Sequence, residues 1–243
     1  MTRILTIANN KGGCGKTATA TALAAGLAEQ GKSILLIDTD AQANTTMGMR
    51  IPTTNVDCYS LLQGKQMEPV QIAANLWAVG ATLNMNVADR TIETMEQGTA
   101  ILDMLQQFMG KYDYIVIDTP PTLGLLTINA IYAADYVLIP LQASFYALQG
   151  MGNIIELLQK FGKADKYGII VTMYESRKTL HKHLHDTICN SYGQAVYSTK
   201  VRNNIAIGEA PARGMSLFEY APKSNGAADY RAVIVELLQR IDK

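Results

Sequence analysis

Cysteine is scarce in this chain. Cys14, Cys58 and Cys189 are the only three in 243 residues, an odd number, far apart and without a CxxC pair. That spacing excludes a disulfide framework and fits a reducing compartment. Long apolar runs are missing too, and none reaches the ~18 residues of a membrane span. The apolar opening, residues 1–8, is too short for a cleavable leader and leads straight into a glycine-rich stretch. Net charge is also lacking, with 21 Lys and Arg against 21 Asp and Glu. Any binding to nucleic acid or anionic lipid therefore requires a local basic patch. No repeat, low-complexity tract or Pro/Gly/Ser linker divides the chain, so residues 1–243 read as one cytoplasmic domain.

What is present is an alternation of short β-rich runs with longer helical patterns, as a parallel sheet covered on both faces demands. Strands are expected over 3–8, 33–37, 76–79, 114–117, 136–139, 168–172 and 195–198. Helices are expected over 16–30, 86–110, 123–133, 145–161, 179–192 and 227–241, the first of them stopped by Gly31. Residues 48–54 and 201–225 read as long irregular connections. The fold class is α/β, a doubly wound, mostly parallel sheet flanked by helices, with ligands beyond the carboxyl ends of the strands.

Three motifs fall at such ends. Gly12-Gly13-Cys14-Gly15-Lys16-Thr17 follows the first strand and opens the first helix, the setting of a P-loop. Glycines let backbone N–H groups approach phosphate oxygens, and the helix N-terminus adds positive charge. Lys16 is placed to neutralise β- and γ-phosphates, and the Thr17 hydroxyl to ligate Mg²⁺. A dinucleotide fold is excluded because the spacing is not GxGxxG. Cys14 is read as a spacer in the loop. The second strand runs into Asp38-Thr39-Asp40-Ala41-Gln42-Ala43-Asn44-Thr45-Thr46. The third motif is Tyr114-Ile115-Val116-Ile117-Asp118-Thr119-Pro120-Pro121, an apolar strand ending in a carboxylate, the Walker B form. Asp118 should accept from a Mg²⁺-bound water, and residues 119–124 should sense the γ-phosphate.

Asn10 stands where a plain P-loop has its first glycine, and Lys11 adds a second lysine. Lys-Gly-Gly-x-Gly-Lys-Thr resembles the deviant Walker A of the ParA/MinD superfamily, and the chain is most similar to its ParA/Soj-type partition ATPases. In that family the extra lysine reaches across a sandwich dimer to the partner's nucleotide. The resemblance implies this role for Lys11 and a homodimer in the ATP state. It also implies that Asp40 aligns or deprotonates the attacking water, with Asp38 nearer the strand end and the Mg²⁺ shell. Ala41 stands where the family usually has Pro, and Ala43 where Gly is common.

Similarity continues through Leu126-Thr127-Ile128-Asn129-Ala130, Pro140-Leu141-Gln142-Ala143, Tyr146-Ala147-Leu148-Gln149-Gly150, Ile170-Val171-Thr172-Met173-Tyr174 and Gly208-Glu209-Ala210-Pro211. By resemblance, Met173 and residues 201–211 are the candidate adenine contacts. The chain begins at its first strand, so a helix-turn-helix domain as in larger plasmid ParA proteins is not expected. The short type binds DNA nonspecifically in its ATP form and meets a centromere-binding, ParB-like activator, which places it on the nucleoid. The family's Arg-Asn-Val-Arg-Leu segment reads Asn203-Asn204-Ile205-Ala206-Ile207 here, without either arginine. Lys160, Lys163, Lys166, Arg177, Lys178 and Lys182, with Lys200, Arg202, Arg213, Lys223 and Arg231, are the substitutes expected to meet phosphates.

His181 and His185 share a helical face at i, i+4, but no Glu or Cys completes a zinc motif, so an exposed helix face is expected. A MinD-like membrane cycler would end in a basic amphipathic helix. Residues 230–243 instead read as a body helix, with Val233, Leu237 and Ile241 toward the core and no integral membrane association. Related ATPases that position organelles or protein clusters remain an alternative. Iron–sulfur chemistry of the nitrogenase iron-protein kind is excluded, because it needs cluster-ligating cysteines at set positions after the Walker motifs, where Cys58 and Cys189 do not lie.

Overall fold

A computed structural model describes residues 1–54, 57–91, 99–144 and 147–241, without the side chains of 91 and 147–150. Seven strands form one sheet: β1 (Arg3–Ile7), β2 (Ile34–Asp38), β3 (Val70–Ala73), β4 (Leu76–Val79), β5 (Tyr114–Asp118), β6 (Tyr136–Gln142) and β7 (Tyr167–Thr172). Their order across the sheet is β3-β4-β2-β5-β1-β6-β7, parallel throughout except for the antiparallel β3–β4 edge. The central strands are apolar runs rather than alternating ones because both faces are covered, and β2 and β5 are buried at every position. Register sets Asp38 opposite Asp118, the last residue of each strand, and Ile7 opposite the same Asp118 on the other side. The chain leaves β1 toward β2 on one side and later reaches β6 on the other, so the crevice for ligands opens at the carboxyl end of β1.

Helices cover both faces. They are α1 (Lys16–Glu29), α2 (Asn44–Gly48), α3 (Cys58–Leu62), α4 (Met85–Thr91), α5 (Ala100–Leu105), α6 (Leu125–Ala133), α7 (Ala147–Lys160), α8 (Thr179–Tyr192), α9 (Ile205–Ala212), α10 (Leu217–Tyr220) and α11 (Asn225–Ile241). On one face, α1 lies against the sheet and is itself covered by α11, which buries Val233, Leu237 and Ile241 as the sequence suggests. α1 is Ala-rich because it is squeezed from two sides. A Cβ on Gly26 would collide with Ile234 and Phe218. The opposite face is filled from α3 to α6, and a third cluster joins β6 and β7 to α7 and α8.

Several sequence expectations are corrected. Residues 195–198 are not a strand. Ala195 ends a 3₁₀ turn, and Val196 makes only an isolated bridge to Ile169, because Tyr197 N–H is the donor to Ile169 O before the segment turns away. β3 was not anticipated. Its half-buried alternation fits an edge strand but is too short to stand out. The helix expected over 86–110 is found as α4 and α5, followed by a 3₁₀ turn at Gln106–Phe108, while 92–98 lie outside the described residues. Residues 201–225 carry α9 and α10 rather than an irregular connection. Side-chain caps start both helices: Asn204 accepts from Ala206 N, and Ser216 forms a capping box with Glu219.

Candidate nucleotide site

The loop after β1 is built to expose backbone N–H groups. Gly13 and Gly15 adopt left-handed φ of 70° and 93°, a region that a Cβ disfavours, and Gly15 caps α1. Neighbouring side chains hold the loop rigid. Asn9 Nδ2 is a donor to Pro140 O (2.7 Å), Asn9 Oδ1 accepts from Lys11 N (3.0 Å), and Thr172 Oγ1 is a donor to Cys14 O (2.8 Å). The Cys14 thiol is buried against Lys11 O, and burial pushes its pKa up despite the nearby Lys16 charge. Both lysines of the loop rest on protein oxygens. Lys16 Nζ is a donor to Lys11 O (3.0 Å), and Lys11 Nζ to Ser144 Oγ (2.8 Å) at the end of β6.

Asp38, Asp40 and Asp118 converge at the strand ends but in different states. Asp38 is fully buried and fully used. Its Oδ2 accepts from Thr46 N and Thr46 Oγ1, and its Oδ1 from Asp40 N, so it locks the loop that follows β2. Thr46 Oγ1 in turn accepts from Ala81 N, tying that loop to the end of β4. Asp40 Oδ1 accepts from Gln42 N (2.9 Å), and the side chain borders the cavity described below. Asp118 Oδ2 accepts from Thr17 Oγ1 (2.8 Å) and Thr45 Oγ1 (2.7 Å). Its other oxygen, Oδ1, is buried with no partner.

Burial, with Asp38 close by, pushes the Asp118 carboxyl well above the ordinary carboxylate range. The hydrogen bonds from Thr45 and Thr17 and the charge of Lys16 oppose that rise. Burial also raises Asp38, against its hydrogen bonds from Thr46 and Asp40. A buried carboxylate with an orphaned oxygen, Asp118, beside the Thr17 hydroxyl at a phosphate loop is a donor pair suited to a hard divalent cation and its waters.

A cavity of about 650 Å³ runs from this cluster along the carboxyl edge of the sheet. At one end are Gly12, Gly13, Gly15, Lys16, Thr17 and Asp40. At the other are Thr172, Met173, residues 201–205, Ile207, Gly208 and Tyr230. The size suits a nucleotide. Met173 adopts a left-handed φ of 51°, uncommon for a long side chain, at the wall of this cavity. Arg202 lines it too, held by Asp229 through both its Nε and a terminal nitrogen. Residue 146 lies outside the described residues, as do the side chains of 147–150.

The chain meets its relatives here. The AAA domain family model matches residues 2–171. Soj, the chromosome-partitioning ATPase of Thermus thermophilus, is 35% identical over 99% of this chain and 97% of its own length. The sporulation initiation inhibitor protein Soj of Bacillus subtilis is 36% identical over 95% and 96%. The chain belongs to the Soj/ParA family of partition ATPases. Among solved structures, cobyrinic acid a,c-diamide synthase of Mycobacterium smegmatis with ADP and magnesium superimposes with a TM-score of 0.84 at 27% identity, covering 100% of this chain and 96% of that one. ATPase activity on a P-loop fold is thus the family's chemistry, and a fold relative of this kind holds a nucleotide with magnesium.

Sequence motifs single out Lys11, Lys16, Thr17, Asp40 and Asp118; of these Lys16, Thr17 and Asp40 line the cavity, Asp118 is held by Thr17 behind it, and Lys11 Nζ turns to Ser144. The motifs do not reveal the roles of Asn9, Thr45, Thr46, Ser144 and Thr172, which hold those groups in place. Asn9 flanks the phosphate loop and Thr45-Thr46 end the second motif, so these polar residues could have been suspected. Ser144 carries no local signal, and Thr172 lies in the segment 170–174 that the resemblance assigns to the base rather than to the loop. Arg177 and Lys182 are exposed at the start of α8. The histidines of α8 do not meet each other. His181 Nδ1 accepts from Glu175 N, while His185 lies against Cys189 Sγ (3.5 Å from Nε2). Among the described residues no group of three or more His, Cys, Asp or Glu could hold a metal ion.

Proposed function

We propose that this Soj/ParA-family member is an ATP-switched homodimer that segregates DNA, hydrolysing ATP to ADP and phosphate slowly until a ParB-like partner stimulates it. The observation that carries the reading is that Lys16, Thr17 and Asp40 line one end of a nucleotide-sized cavity, with Asp118 hydrogen-bonded to Thr17 behind them. Backbone N–H groups of residues 12–15 and the start of α1 bind the phosphates. Lys16 leaves Lys11 O and Lys11 leaves Ser144 to balance charge that develops in transfer, Lys11 doing so across the dimer. Asp40, fixed by Gln42 N and by the Asp38 lock, orients the attacking water and takes its proton. Thr17 and, through a water, Asp118 would hold Mg²⁺, which when bound would supply Lewis-acid polarisation of the phosphate oxygens. Met173 and residues 201–208 enclose the base.

Nonspecific DNA binding rests on basic residues that stay free for phosphates. Five of the eleven sequence candidates are otherwise engaged, among them Lys178, which pairs with Glu175. Lys163 caps the end of α6 through the carbonyls of Ile131, Tyr132 and Ala134. Lys166 pairs with Asp165, Arg202 with Asp229 and Arg231 with Glu29. Arg177 and Lys182 enter no ion pair among the described residues, and Lys200 lies over the Tyr174 ring at 5.5 Å. Tyr174 bridges to Arg202, which lines the cavity, so Lys200 sits beside the base end of the nucleotide site.

Among the described residues no helix is long and apolar enough to cross a bilayer. The deciding experiment uses the Asp40→Ala protein, expected to persist as an ATP dimer, on random-sequence DNA and on anionic liposomes. It is run with ATP, ADP or no nucleotide at low and high salt. ATP-dependent, salt-sensitive DNA binding supports segregation. Binding to liposomes alone, or to neither, moves the reading to a membrane or protein-scaffold positioner.

A further inference from the structure

The geometry points to Thr45 as a positioning residue of the magnesium site, an inference that rests on the nucleotide–metal reading above. Thr45 is buried on α2, at the second position of that helix, and its hydroxyl is a donor to Asp118 Oδ2 at 2.7 Å. Thr17 Oγ1 is a donor to the same oxygen at 2.8 Å. A carboxylate oxygen has two in-plane lone pairs, so two hydroxyl donors saturate Oδ2. What remains is Oδ1, buried and without a partner. The paired threonines therefore fix the rotation of the Asp118 carboxylate and aim its free oxygen at the site.

Thr17 can do this and still serve the cation, because donation uses its hydrogen and leaves lone pairs. Thr45 is different: it has no place in the phosphate loop and acts only through Asp118. Its neighbour Thr46 makes the equivalent hold on Asp38 Oδ2 at 2.7 Å. Consecutive threonines on one short helix thus orient the two register-paired carboxylates that end β2 and β5. α2 follows directly on the loop that carries Asp40. A shift of that loop on nucleotide binding therefore reaches the metal ligand set through Thr45.

The test compares wild type with Thr45→Val, which removes the hydroxyl at nearly constant volume, and Thr45→Ser, which restores it. Mn²⁺ binding is read by electron paramagnetic resonance in the presence of ADP, where no turnover occurs. ADP affinity is measured separately in EDTA. Orienting partners of metal ligands are worth about tenfold or more in affinity. Thr45→Val should therefore need about ten times more Mn²⁺ for half-saturation, with ADP affinity in EDTA unchanged and Thr45→Ser close to wild type. Mn²⁺ binding by Thr45→Val equal to wild type, or Thr45→Ser as weak as Thr45→Val, would overturn the positioning role. Failure of the wild-type protein to hold Mn²⁺ with ADP would overturn the metal-site reading itself.

Discussion

Ala43 occupies a left-handed backbone conformation, φ 53°, at the N-cap of α2 between Asp40 and Thr45. Glycine enters that region without the steric cost of a Cβ, which gives a physical sense to the family's usual glycine there. Ala43→Gly should stabilise the fold by up to about 1 kcal/mol, the relief of strain being partly offset by a more flexible unfolded chain. Urea unfolding of the nucleotide-free protein measures it, and destabilisation would show that the strain is absent.

The buried carboxylates give a second expectation at this scale. Asp38 and Asp118 hold protons more tightly in the folded chain than an unfolded aspartate, whose pKa is about 3.9. The folded state therefore binds more protons, and their contribution to stability is lost as pH rises from that value through the raised ones. Nucleotide-free protein should lose melting temperature between about pH 5 and pH 7.5, and Asp118→Asn should flatten that slope. An identical slope in the variant would place the pH dependence elsewhere.

Among elements, α1 and the layer outside it are in close contact. Gly26 lies where Ile234 of α11 and Phe218 of α10 leave no room for a methyl group, and both side chains are buried. Gly26→Ala should cost about 1 to 3 kcal/mol by overpacking, despite alanine's better helix propensity. Thermal unfolding reads the sign directly. α2 and α9 meet in a similar way. A Cβ on Gly48 would come within 2.9 Å of Pro211, and Arg50 is a donor to Arg213 O. α2, which carries Thr45, and α9, which lines the cavity, are therefore in direct contact.

Across the whole molecule, a chain without net charge can bind DNA only where its cations are left unneutralised. Arg177→Glu combined with Lys182→Glu should weaken ATP-dependent DNA binding. It should also reduce the slope of log affinity against log salt by about one per lost phosphate contact, with unstimulated ATP hydrolysis intact. An unchanged slope would locate the nucleic-acid surface on another side.

The sequence by itself determined the strand–loop–helix that forms the phosphate site, the apolar strands ending in Asp38 and Asp118, and the helix α8 at its true bounds. Each is a local matter of periodicity, turn glycines and a breaker at the end. Tertiary structure decided the rest. Asp38 faces Asp118 only because β2 and β5 pair in one register, although 80 residues separate them. Ser144 and Thr172 reach the phosphate loop only because β6 and β7 lie on that side of β1. Thr45 holds Asp118, Lys163 caps α6 and Arg202 is neutralised by Asp229 through contacts that no spacing encodes. Such pairings depend on how the sheet orders its strands, and that order is set by the burial of the whole core rather than by any one segment.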